Sequence, residues 1–196
     1  MKVELQIPQN ESAAEPRVLL HSCCAPCSAA IVECMLNNGI VPTVYFSNSN
    51  IYPEEEYLRR RTELERHLAN LGVPYVEDDY DHAEWLSAIK GLEHEPERGA
   101  RCLQCFKFRL LRAARYAVTN GFTHLTTTLA SSRWKNINQI NEAGQMAVAD
   151  TPNVLFWPQN WRKGGLQDRR NELLHLYQFY NQQYCGCEFS IRNLNV

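Results

Sequence analysis

Apolar residues in this chain fall into short runs, separated by longer stretches where they recur every third or fourth position. The runs read as buried strands and the stretches as amphipathic helices. Residues 18–20 form the first strand, and 28–37 a helix stopped at Gly39. Residues 41–46 form the second strand. Pro53 opens a long helix whose apolar positions are Tyr57, Leu64, Leu68 and Leu71, and Gly72 closes it. Residues 74–76 are the third strand and 82–90 a short helix. Residues 93–100 hold Pro96 and Gly99 and read as a loop. Residues 102–118 are helical, with Leu103, Phe106, Leu110, Ala113 and Ala117 on one side. The Thr-rich run 124–129 is the fourth strand, 136–148 a helix, 154–157 the fifth strand and 166–180 the last helix.

Strands thus alternate with helices five times. The expected fold is α/β, a five-stranded parallel sheet with helices on both faces. In such sheets the ligand site lies at the carboxyl ends of the strands, where the strand order switches. Cys23, Cys24 and Cys27 follow strand one, and Ser131, Ser132 and Arg133 follow strand four. The fold therefore predicts that these two distant stretches meet. Residues 18–196 read as one domain, preceded by a flexible, polar N-terminal tail over 1–17.

Of the 196 residues, 44% are hydrophobic, which suits one compact domain. No apolar run is long enough to span a membrane, and the N-terminus lacks a signal-type apolar core, so a cytoplasmic protein is expected. A net charge of −2 excludes a generally basic nucleic-acid binder but leaves room for a local basic face. Arg98, Arg101, Lys107, Arg109, Arg112 and Arg115 gather in one stretch, and acidic residues gather at 54–56 and 77–84. Asp78, Asp79 and Asp81 read as a solvated acidic turn. The pattern carries no signal for an oligomeric state.

The chain has eight cysteines. All but Cys34 fall in the groups CCAPC, CLQC and CGC. Without a secretion signal, that grouping favours metal or redox chemistry over a disulfide framework. Cys34 alone reads as a small buried apolar residue. The CLQC pair, at a helix start, offers two thiolates where exposed N–H groups favour them. Adjacent cysteines rarely chelate one zinc but can reach different irons of a cluster. Cys23, Cys24, Cys102 and Cys105 supply four thiolates, enough for a 4Fe-4S cluster, and a four-thiolate zinc site fits the same count. Cys185 and Cys187, separated by Gly186, are either a redox-active pair or metal ligands. Cys27 is either a further ligand or a buried thiol. His21 reads as a core histidine satisfied by hydrogen bonds.

Taken in order, HSCCAPCS, RCLQC, TTTLASSRWKNINQI, NWRKGG and YCGCEFS resemble the QueH-type epoxyqueuosine reductases, from about His21 to Ser190. The resemblance implies a fold similar to nucleotide-binding domains of the ATP-pyrophosphatase (HUP) type. HSCCAPCS stands where those relatives carry a phosphate loop, and it lacks the glycines and serines that would cradle a pyrophosphate, so ATP use is not expected. The resemblance also implies reduction of epoxyqueuosine to queuosine at the wobble position of tRNA. It implies a 4Fe-4S cluster on Cys23, Cys24, Cys102 and Cys105, and a redox pair at Cys185 and Cys187. Some members of the family carry an aspartate where this chain has Cys27, in a region associated with a second, mononuclear iron, and Cys27 stands in for that carboxylate. An external low-potential electron donor is implied, because no flavin or nicotinamide fingerprint is visible.

A tRNA substrate gives the basic residues a use. Arg98, Arg101, Lys107 and Arg109 flank the expected cluster and are candidate phosphate contacts. Arg133, Trp134 and Lys135, then Trp161, Arg162 and Lys163, interleave cations with rings on which an unstacked base can lie. Two rival readings remain from the residues: a tRNA sulfur-transfer enzyme, which would need ATP, and a zinc-stabilised RNA-binding module.

Overall fold

The computed structural model describes residues 3–11 and 15–191. Five strands form one sheet: β1 (Val18–Ser22), β2 (Thr43–Phe46), β3 (Tyr75–Glu77), β4 (His124–Thr127) and β5 (Leu155–Phe156). Their order is β3-β2-β1-β4-β5, and every neighbouring pair is parallel. The expected five-stranded parallel α/β sheet is therefore the observed one. All five residues of β1 are buried, on both faces of its pleat. The helices are α1 (Ala25–Asn37), α2 (Glu54–Leu71), α3 (His82–Ala88), α4 (Ala100–Thr119), α5 (Ile137–Val148), α6 (Leu166–Leu176) and α7 (Glu188–Ile191). The chain steps outward from β1 to β3, crosses through α4, and steps outward again through β4 and β5. Right-handed crossovers put α1 and α2 on one face and α4 and α5 on the other.

The boundaries differ from the sequence reading where polar residues are buried. β1 runs two residues past its apolar run because His21 and Ser22 are fully buried. β4 stops at Thr127, whose side chain accepts the Leu129 amide and starts a 3-10 turn over Thr128–Ser131. The last helix ends at Leu176, and Gln178 follows with φ +51, which reverses the chain. Helix α7, after CGC, had no periodic signal.

The N-terminal segment departs from a loose tail. Val3, Leu5 and Ile7 pack against the core. Asn38 binds both Val3 O and the Leu5 amide, and His124 Nε2 lies 2.8 Å from Pro8 O. Alternate apolar residues supply the burial and the polar partners hold the backbone. Residues 1–2 and 12–14 of the expected tail, and 192–196 of the expected domain, lie outside the described residues. Among the described residues, no helix is long and apolar enough to cross a membrane.

Candidate metal and redox site

The strand order switches between β1 and β4, and the cysteines lie at the carboxyl ends of those strands. Cys24 is the N-cap of α1, with Pro26 in its first turn. This turn places the thiols of Cys23, Cys24 and Cys27 within 4.8 Å of one another. Cys23 Sγ and Cys24 Sγ are 3.7 Å apart. Cys23 meets the turn that follows β4, where its amide donates to Thr128 Oγ1 at 3.3 Å, three residues before the expected Ser131, Ser132 and Arg133. Hydrogen bonds from Cys24 and Cys27 hold the Cys23 thiol well below its ordinary value, against its burial. Burial raises Cys24, and the bond to Cys23 pushes Cys27 up to about 11. One thiolate backed by two thiols at a helix N-terminus is a donor set for a soft metal. Three convergent, largely buried thiols thus fit a metal centre on their chemistry.

Cys102 and Cys105 lie in the first two turns of α4. They do not join the group of three within 4.8 Å. Cys102 Sγ accepts the Arg98 amide at 3.3 Å. Cys105 packs with Cys187, Trp85 and Ile89 in a small apolar cluster. Burial pushes Cys102 up to about 11 and Cys105 up to about 12, and Cys185 and Cys187 add to both shifts. CLQC therefore meets CGC. None of the eight cysteines is in a disulfide.

Gly186 has φ +127, a conformation that L side chains rarely adopt. A Cβ there would lie 3.0 Å from Ile51 Cγ1 and 3.2 Å from Arg60 Nη1. Arg60, 1% exposed, donates to Cys185 O at 3.1 Å and to Tyr184 O at 3.3 Å. Glu56 balances its charge at 2.7 Å, and Tyr180 donates to the other Glu56 oxygen at 3.0 Å. The Tyr52 amide donates to Gly186 O at 2.8 Å. A buried ion pair on α2 thus fixes the backbone of CGC.

Two cations face the thiols. Arg109 is 2% exposed and donates to Ser47 O at 3.3 Å and to Asn48 Oδ1. Burial disfavours the charged form of half-buried Lys135, but the Cys185, Cys23 and Cys27 thiols outweigh it and raise its pKa. His21 sits beneath, its Nε2 3.1 Å from Ser47 O and its Nδ1 2.8 Å from Thr127 Oγ1. The carbonyl requires the proton on Nε2. Burial, then Arg109, lowers its pKa to about 3, so it is neutral and satisfied.

The basic residues separate by what they touch. Trp134 is 68% exposed, with Arg133 over its ring at 5.2 Å, and Lys163 is exposed. Trp161 is fully buried, edge-on to Trp157 at 5.5 Å, so its ring offers no base a face. Arg101 is also buried, held by Glu93 O and Glu95 O and by the Phe189 ring, so it does not reach out to a phosphate. In both cases the apolar bulk found a core vacancy that the local charge pattern does not reveal. Lys107 pairs with Glu142 at 3.1 Å, and Arg162 donates to Lys135 O at 2.8 Å. Asp78 is not in a solvated turn: Arg112 binds it at 2.6 Å and Ser47 donates to it. Asp81 caps α3 through the Glu84 amide.

Sequence reasoning missed four contributors. Arg60 and Glu56 look like surface charges of a polar helix. Residues 47–50, Ser-Asn-Ser-Asn, look like a solvated loop but are at most 2% exposed. Their signal was position, at the carboxyl end of β2. Gln182 Nε2 lies 3.0 Å from Cys24 Sγ, and its one signal was its place three residues before CGC.

A sequence model of the family described as epoxyqueuosine reductase QueH matches residues 18–193. An epoxyqueuosine reductase QueH of Histophilus somni is 44% identical over 195 residues, covering 100% of this chain and 79% of the relative. One from Acinetobacter baylyi is 43% identical over 194 residues, covering 99% and 87%. One from Thermotoga maritima is 33% identical over 178 residues, covering 89% and 90%. With three convergent thiols at the switch point of a parallel sheet and this match along most of its length, the chain belongs to the QueH family of epoxyqueuosine reductases.

Proposed function

We propose that this protein reduces epoxyqueuosine to queuosine at the wobble position of tRNA, through a 4Fe-4S cluster. Cys23, Cys24, Cys102 and Cys105 are the proposed cluster ligands, with Cys27 beside them as ligand to an adjacent mononuclear iron. The observation that carries the reading is the three-thiol group at the end of β1, within 4.8 Å and largely buried. Such a cluster, when bound, supplies one-electron transfer and Lewis-acidic iron.

The chain's own groups serve that chemistry. Arg109 and Lys135 put fixed positive charge against the thiolates, which lowers the cost of burying them. The Gln182 amide donates toward Cys24. Buried Ser22, Ser28 and residues 47–50 exclude bulk water from behind the centre. Arg60 holds Cys185 and Cys187 near CLQC, where a dithiol can deliver two electrons by closing to a disulfide. Removing the epoxide oxygen as water consumes two electrons and two protons, so an external low-potential donor must restore the system. Trp134, Arg133 and Lys163 provide the exposed cationic and aromatic surface that fits an anticodon loop.

The test is anaerobic purification with iron, sulfide and zinc analysis, then incubation with epoxyqueuosine-containing tRNA and a strong reductant. The expected product nucleoside is lighter by one oxygen. Protein loaded with iron and sulfide that leaves this tRNA unchanged overturns the proposal, as does zinc as the only metal.

A further inference from the structure

Arg98 lies one residue before Gly99, the N-cap of α4, and looks like a free phosphate contact. Its bonds say otherwise. Its amide donates to Cys102 Sγ at 3.3 Å. Its side chain turns to the segment after β4, where Nε donates to Trp134 O at 2.8 Å and Nη2 to Arg133 O at 3.4 Å. Its carbonyl accepts Gln139 Nε2, on α5, at 2.9 Å. One residue thus ties a cysteine of CLQC to the loop that carries the exposed tryptophan.

The loop needs that tie. Carbonyls of three successive residues, 133 to 135, point to guanidinium groups, two to Arg98 and one to Arg162. A backbone carbonyl bonded by a charged donor is held more firmly than one bonded by water. Trp134, 68% exposed, has no core packing to orient it, so its backbone must do so. Arg98 itself has φ +66, which a long side chain adopts only when its surroundings hold it there.

We propose that Arg98 is a positioning residue, which sets the Trp134 ring as a stacking platform at a fixed place relative to Cys102. It acts on tRNA through Trp134 and not through its own charge. This rests on the tRNA reading above.

The charge-keeping variant separates the two roles. Arg98→Lys keeps the cation but cannot span the Arg133 and Trp134 carbonyls. Trp134→Ala is expected to raise KM for substrate tRNA about tenfold, the scale of one base–aromatic stack. Arg98→Ala and Arg98→Lys are both expected to raise KM by a similar factor, with kcat nearly unchanged. In a Trp134→Ala background, either change is expected to add little. Iron content should match the wild type. Trp134 is the one exposed tryptophan, since Trp85, Trp157 and Trp161 are at most 3% exposed. Emission selected by an aqueous quencher therefore reports on it, and its anisotropy should fall in both Arg98 variants.

An Arg98→Lys enzyme with wild-type KM, beside a weakened Arg98→Ala, would make Arg98 a charge contact and overturn the proposal. Additive losses in the double variants overturn it too, and so does loss of iron in Arg98→Lys. If Trp134→Ala leaves KM unchanged, the platform reading itself fails, and that result is distinct from a failure of Arg98 alone.

Discussion

Gln182 Nε2 lies 3.0 Å from Cys24 Sγ, although 158 positions separate the two residues. The same nitrogen is 3.9 Å from Cys27 Sγ. An amide that donates to a thiolate stabilises its charge, and more so when the centre carries an extra electron. Gln182→Ala is therefore expected to make the reduction potential of the bound centre more negative, on the order of 50 mV. Gln182→Glu should lower it further. Potentiometric titration followed by electron paramagnetic resonance measures this, and an unchanged potential in both variants removes Gln182 from the centre.

The cysteine groups should part under substitution. Cys102→Ala is expected to abolish the visible absorbance of the cluster. Cys185→Ala is expected to keep that absorbance and stop turnover. Cys27→Ala is expected to keep it and lower the ratio of iron to sulfide. Loss of absorbance in Cys185→Ala would instead make CGC a ligand pair.

Arg60 holds CGC by two backbone carbonyls. Arg60→Lys preserves the charge opposite Glu56 but not the fork. The expected result is faster alkylation of Cys185 in the native protein, read by mass spectrometry, and slower turnover. Removing the charge, as in Arg60→Met, leaves Glu56 buried and unpaired and is expected to cost roughly 3–5 kcal/mol of stability.

Asp78 links stability to acid. Burial alone would raise its pKa, but hydrogen bonds from Arg112, Ser47 and Tyr45 outweigh it and hold the carboxyl below the ordinary 3.8. On acidification the unfolded chain takes up this proton first. The stabilisation is therefore complete above pH 3.8 and fades as pH falls through the folded value. Asp78→Asn is expected to cost about 2–3 kcal/mol near neutral pH, measured by denaturant unfolding. The gap between variant and wild type should narrow below that pH. A gap that stays constant into strong acid would show that the carboxylate charge is not what matters.

The sequence by itself determined the order of the strands and of the helices up to α6, because short apolar runs and period-3.6 apolar patterns are local. It also determined that Cys23, Cys24 and Cys27 lie near the chain that leaves β4, since a parallel sheet fixes where its loops emerge. The tertiary structure decided which polar residues face the thiols. Arg60 and residues 47–50 have surface-like neighbours along the chain and only packing buries them, and only the fold turns half-buried Gln182 toward Cys24. The same holds in reverse for Trp161 and Arg101, whose motifs suggest RNA contact and whose side chains fill the interior. Charge pattern is read along the chain, but burial is a sum over neighbours distant in sequence. Periodicity therefore predicts the frame, and only the folded frame assigns each cation to the centre, to the loop that flanks it, or to solvent.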